Sequence, residues 1–348
     1  MSDAGNQTTT GTGAWTRPLW AGLRSWDAAV LLGLVLVVLV GSAAVDGAGT
    51  PRFWRFVILE IIPIGLIALP MTLVIITGEI DLSVASVLGL TCTAFGQMWA
   101  WGVDSLPLLI LVCLALGAVL GAVNGLFVTG FGLPSLAVTI GTLALYRGLA
   151  SVVLGNRAVA DYPPAWTLGS IRAIPGTTIP WAVLVLAALA IGFGVLLHAT
   201  PIGRGVYAMG NNADAARFSG IAIRRTKFWI FVVTGVMSAL AGVFWTLRFA
   251  SARADNGTGL ELAVVAAVLL GGVSIFGGRG GLVGVVAAVA LLATLRNTLQ
   301  LAYVPANTLT IITGSLLIIS VVGPNVAGMI RARLRRHRPV STTTPSAG

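Results

Sequence analysis

Long apolar runs dominate this chain, and a soluble fold has no core large enough to hold them. Residues 28–45, 56–77 and 181–197 approach or reach the ~20 residues that a helix, rising about 1.5 Å per residue, needs to cross a hydrocarbon layer. Charged residues make up 9% of the 348 and hydrophobic ones 57%, whereas a soluble domain carries roughly a quarter charged residues. Lipid is therefore the solvent for most of the chain, and we read it as an all-α, polytopic membrane protein.

Apolar runs bounded by glycine, proline or charge give ten expected spans, at about 26–45, 56–77, 83–102, 106–128, 136–154, 181–198, 228–247, 262–276, 282–302 and 307–322. An even number places both termini on one side, and the excess of arginine and lysine marks the cytoplasmic side. With the termini inside, thirteen basic residues fall in cytoplasmic segments and six in outer ones. The loop 199–227 decides the matter, with Arg204, Arg217, Arg224, Arg225 and Lys227 against only Arg157 and Arg172 in the outer loop 155–180. The expected organisation is a polar cytoplasmic tail (1–25), a transmembrane domain (26–322) and a basic, disordered cytoplasmic tail (323–348). Small residues at Ser42, Ala43 and Ala44 would suit a cleaved signal, but the run spans and its leader is long, so an uncleaved first helix is expected.

Several chemistries are excluded. The formal charge of +10 sits beside spans without interleaved aromatics, which fits topology and not nucleic acid. Cys92 and Cys113 lie in apolar runs with no ligand-spaced partner and read as small hydrophobes. A phosphate-binding P-loop needs Gly-Lys-Ser/Thr, yet the sole lysine, Lys227, sits between Thr226 and Phe228. Gly203-Arg204-Gly205-Val206-Tyr207-Ala208 matches a dinucleotide fingerprint in letters only, since it follows a membrane span and not a strand. His198 and His337 face no evident acid. No cofactor, metal or catalytic constellation is expected, and the chain reads as a non-enzyme.

Ionisable residues in or near the spans are Glu60, Glu79, Asp81, Arg147, Glu261 and Arg296. In lipid such groups face a cavity or one another. Two readings stand open: the arginines neutralise acids or cap carbonyls, or some of these groups join Asn124 and Thr139 in a polar lining that passes a hydroxylated solute. Gly117, Gly121 and Gly125 form a small-residue packing seam in the fourth span. Pro63 and Pro70 interrupt the second span's hydrogen bonding, which places that helix against protein or a watery cavity. Ile80-Asp81-Leu82-Ser83-Val84 before the third span is echoed by Leu260-Glu261-Leu262-Ala263-Val264 before the eighth, as an inverted repeat would require. In the long basic loop, Asn211 to Gly220 carries the signature of a short capped helix, a handle for a cytoplasmic partner.

Thr77-Gly78-Glu79-Ile80-Asp81-Leu82-Ser83-Val84 resembles the GGIDLSVG signature of the ribose-type permeases of ATP-binding cassette importers. Asn124-Gly125, Val138 to Leu143 and Tyr146-Arg147-Gly148 are similar to that family's next block. Gly203-Arg204, Gly210-Asn211, Ala215-Ala216 and Ser219-Gly220 resemble its coupling loop, and Ala266 to Gly272 with Gly277 to Gly280 its last block. Glu79 and Ala85 stand where the signature has glycine. Glu79, with the run 248–257, is most similar to permeases assigned to rhamnose import. The resemblance implies alternating-access import of a monosaccharide by a dimer of this chain or of it with a sister permease. It further implies a cytoplasmic ATPase and an extracytoplasmic sugar-binding protein as partners. The implied substrate pathway is Glu79, Asp81, Ser83, Asn124, Thr139, Arg147 and Glu261. The implied coupling set is Gly203, Arg204, Tyr207, Gly210, Asn211, Asp214, Ala215, Ala216, Arg217 and Gly220. The rival is an ion-gradient transporter using Glu79, Asp81 or Glu261 as ion sites.

Overall fold

The computed structural model describes residues 25–305, 307–316 and 318–319. Among the described residues, besides a helical stretch at 307–316 and 318–319, the helices in order are α1 (Ser25–Ala44), α2 (Pro51–Ile76), α3 (Val84–Ala100), α4 (Leu106–Thr129), α5 (Ser135–Leu154), α6 (Pro164–Ile171), α7 (Ala182–Ala199), α8 (Pro201–Asn211), α9 (Ala213–Phe218), α10 (Ile223–Phe249), α11 (Leu260–Leu270) and α12 (Leu282–Leu301). Among the described residues there is no strand, only two isolated bridges, Val159 with Ala252 and Ala173 with Pro180. The tails expected to be cytoplasmic, with their arginines, lie outside the described residues.

Among the described residues seven helices, α1, α2, α4, α5, α7, α10 and α12, are long and apolar enough to cross a membrane. The expected tenth span, 307–322, is helical over 307–316 and 318–319 and runs on outside the described residues. The expected third and eighth spans differ in kind. α3 has 17 residues and α11 only 11, and each begins inside the bundle after a non-helical run.

Lengths along α10 show why. Glu79 is bound to Lys227 near the start of α10, while Leu88 packs under Gly242. The fifteen intervening residues of α10 rise about 22 Å. Between Glu79 and Leu88 one helical turn supplies about 6 Å, and the non-helical residues 79–82, at up to about 3.3 Å each, supply most of the remainder, Ser83 (φ −73°, ψ −13°) being already helical. On the other side, the chain leaving α10 turns back until Gly257 meets the Leu88 side chain, and α11 starts from that depth. Gly257 (φ 73°) and Gly259 (φ 82°) hold the left-handed conformations this reversal needs.

α2 is the central post. Every residue from Ile62 to Ile76 is buried, against α7, α10, α11 and α12. It stays one helix through Pro63 and Pro70, and protein surrounds both positions, where the missing hydrogen bonds are tolerated. The glycine seam of α4 meets α10 backbone to backbone: a Cβ on Gly121 would lie 2.4 Å from the Phe231 carbonyl oxygen, and one on Gly117 2.5 Å from that of Gly235. Cys92 and Cys113 are both buried and free.

Candidate functional site

The first component of the site is a backbone junction at the end of the bundle that carries α8 and α9. Thr200 caps α8, accepting from Gly203 N at 3.3 Å, with Pro201 at the first helical position. α8 was missed in the sequence because Gly203, Gly205 and Gly210 lower helix propensity; the threonine-proline start was the available signal. Asn212, one residue after the expected cap, accepts from Ala215 N at 3.0 Å and starts α9. Gly220 (φ 81°) ends it. The α8–α9 pair is therefore two short helices, the second matching the expected capped one.

At the end of α8, Gly210 has no room for a side chain. A Cβ there would lie 1.9 Å from the Ile76 carbonyl oxygen of α2 and 2.4 Å from Gly278 N. Gly278 N donates to that same Ile76 oxygen at 2.9 Å. Asn211 Nδ2 donates to Gly278 O at 3.3 Å, and the Tyr207 hydroxyl to Gly280 O at 2.8 Å. The end of α8, the end of α2 and the turn between α11 and α12 thus meet at three backbones with no side chain between them. Close-packed backbone transmits displacement because it cannot yield locally. Gly203 is likewise pressed on the Leu197 carbonyl at the α7 corner. Ala216 is buried, whereas Arg204, Asp214, Ala215, Arg217 and Gly220 are exposed. Phe218 is 91% and Phe276 76% exposed at this end; the sequence reading passed over both, since an aromatic at a loop edge carries no periodic signal.

The second component is a polar cluster where the extended segment reaches α3. Ser83 donates to Asp81 Oδ1 through its N–H (2.9 Å) and its hydroxyl (2.7 Å). Asn124 Nδ2, from α4, donates to Ser83 Oγ at 2.7 Å. Asn124 Oδ1 is buried without a hydrogen-bond partner. Ser135 Oγ accepts from Ile80 N at 3.1 Å, and Thr139 Oγ1 donates to Ile80 O at 3.2 Å, so α5 supplies the bonds that the extended backbone lacks. Four expected pathway residues, Asp81, Ser83, Asn124 and Thr139, are brought together and buried.

The remaining three lie apart from this cluster. Arg147 donates to the carbonyls of Ala254 and Asn256 at 2.8 Å each and of Ala85 at 3.1 Å. It staples the 250–259 loop to α3 and α5, the carbonyl-capping arrangement. Glu261 is half-buried in the first turn of α11, and its carboxylate attracts the Arg147 guanidinium. Glu79 pairs with Lys227, which the sequence reading used as a topology marker and an excluded P-loop lysine but not as a partner for an acid. Glu60 sits between Arg248 (3.4 Å) and Arg296 (3.8 Å). At the end of the bundle away from α8, Arg147, Arg157, Arg253, Asp255 and Thr258 line an open polar depression of about 360 Å³. There the hydrogen bond from Arg253 holds the Asp255 carboxyl below the ordinary carboxylate range. No group of three His, Cys, Asp or Glu among the described residues could hold a metal ion.

A bundle with two helices begun in its interior, and a helical unit locked at one end to the backbones of α2 and of the α11–α12 turn, fits a membrane permease. The chain belongs to the family described as branched-chain amino acid transport system / permease component, whose model matches residues 54–321. It is 33% identical over 325 residues to the autoinducer 2 import system permease protein LsrD of Salmonella paratyphi A, covering 90% of this chain and 94% of that protein. The protein of the same name from Escherichia coli O9:H4 is 34% identical over 313 residues (87% and 92%), and that from Photorhabdus laumondii 32% over 316 (87% and 92%). No solved structure matches the chain.

Proposed function

We propose that this chain is the membrane-spanning subunit of an ATP-binding cassette importer, working by alternating access as a dimer of itself or with a sister permease. The observation that carries the reading is the Gly210 junction. A helical unit with an exposed aromatic, Phe218, is joined without slack to α2 and to the turn after α11. Aromatic residues and arginines on an otherwise polar surface are the common anchors of protein partners. The α8–α9 end is the cytoplasmic one: Arg204, Arg217, Arg224, Arg225, Lys227 and Arg279 all lie there. The ATPase docks on this end and a solute-binding protein on the other.

The imported solute is small and hydroxylated. The relatives above are named for autoinducer 2, and none of those names carries the rhamnose expected from the sequence run 248–257, so autoinducer 2 is the first solute to test and rhamnose the second. The two acid-bearing segments, 79–83 and 257–261, both lead into helices begun inside the bundle, which supports the inverted-repeat reading. An ion-gradient mechanism is disfavoured because Glu79 has a cationic partner and Asp81 two donors from Ser83. The test is co-purification of the cognate ATPase with wild-type and Phe218→Ala permease, followed by vanadate inhibition of uptake. Binding should fall at least tenfold in the variant. Vanadate-insensitive uptake driven by an ion gradient would overturn the assignment.

A further inference from the structure

The single lysine of the chain is bound to the glutamate that stands where the family signature has glycine. Lys227 Nζ and Glu79 Oε1 form a direct ion pair across 148 residues of sequence, with side chains only 15% and 18% exposed. Lys227 rides on the first turns of α10, which follow α9 after a four-residue corner. That corner is fixed to α9 by Ile221 N donating to Ala216 O at 3.1 Å, and to α8 by Ile221 packing on Gly205. Glu79 lies between two anchored points of the extended segment: Ile76, whose carbonyl takes the Gly278 N–H, and Ile80, held by Ser135 and Thr139 of α5. Between those anchors the two backbone donors bond locally, back into α2: Gly78 N to Ile75 O at 2.9 Å and Glu79 N to Val74 O at 3.2 Å.

We propose that Glu79 and Lys227 are positioning residues forming a coupling latch, through which movement of the α8–α9 unit is passed to the non-helical segment 79–82 and so to the start of α3. Along this stretch of chain the Gly210 junction reaches Ile76 and, through Gly277, the backbone at Gly78. The ion pair reaches past Gly78, onto the segment whose other end carries Asp81 and leads to Ser83. A charged pair suits a moving contact: attraction between opposite charges falls off gradually with distance, unlike the steep loss of a packed contact, so it holds through a small shift and re-forms after a larger one. The other charged side chains on this turn of α10, Arg224 and Arg225, are exposed and leave Lys227 as the residue that meets the acid.

The inference rests on the reading that α8–α9 receives the ATPase, and the test separates the two. In the complete transporter in proteoliposomes, Leu82→Cys is placed in the extended segment and its maleimide labelling rate is measured without nucleotide and after ATP–vanadate trapping. Cys92 and Cys113 are fully buried and do not compete. Failure of the wild-type assembly to trap nucleotide speaks against the ATPase reading. Given trapping, the labelling rate should change at least threefold in the Leu82→Cys protein. Adding Glu79→Gln or Lys227→Met should abolish that change while trapping continues, and the swap Glu79→Lys with Lys227→Glu should restore it. A full response in either single variant overturns the latch, as does a swap that recovers melting temperature without recovering the response.

Discussion

Replacing Gly210 with alanine adds one methyl group at the tightest point of the bundle. The new carbon would sit 1.9 Å from the Ile76 oxygen, 2.4 Å from Gly278 N and 3.0 Å from Gly278 Cα. Ordinary contact between non-bonded heavy atoms begins near ~3.5 Å, so α8 must retreat by more than an ångström. All three obstructing atoms are backbone, and no side chain can rotate away. Retreat strains or breaks the Gly278-to-Ile76 hydrogen bond, at a net cost of about 1 kcal/mol, and overpacking adds about 1–3 kcal/mol. A loss of about 2–4 kcal/mol corresponds to a melting temperature about 5–10 °C lower in detergent. Transport should suffer more than stability, because the displaced contact is the one that joins the α8–α9 unit to α2. The assay pairs a thermal melt with ATP-dependent uptake into vesicles of autoinducer 2, the first solute proposed above. Gly192→Ala is the control: it lies in α7 with open space where its Cβ would be and should gain up to about 1 kcal/mol from helix propensity. A Gly210→Ala protein that melts and transports like wild type would refute both the steric argument and the junction's role.

Arg147→Lys should lower stability by about 1–3 kcal/mol, because a single ammonium cannot replace a fork that reaches carbonyls on α3 and on the 250–259 loop; hydrogen exchange should rise first at residues 254–257, and unchanged protection there would sink the staple. Ser83→Ala leaves the Asn124 amide and the Asp81 carboxylate each short of a partner in a buried site, costing about 1–3 kcal/mol. Asn124→Leu with Ser83→Ala should recover part of that loss by removing one of the stranded groups, and a thermal-melt double-mutant cycle that is additive would count against the cluster.

The lipid solvent and the all-helical class were legible in the sequence. Apolar length and scarce charge require helices in lipid, since an unpaired backbone has no partner there. Asn211 to Gly220 marked a short helix one residue from where it forms, and the glycine spacing in α4 marked a packing seam, because caps and small-residue ladders act locally. Hydropathy could not reveal that α3 and α11 begin inside the bundle. The runs 83–102 and 262–276 are apolar enough to pass as spans, and the polar residues that permit a break, Ser135, Thr139 and Arg147, come from another helix. Nor could any spacing rule join Glu79 to Lys227 or Gly210 to Ile76, which lie 148 and 134 residues apart. The sequence by itself determined the solvent, the helices and their caps, because these follow from residues within a few turns of one another. Tertiary structure decided where the helices break and which backbones touch, because those depend on donors, acceptors and bare glycines supplied by distant parts of the chain.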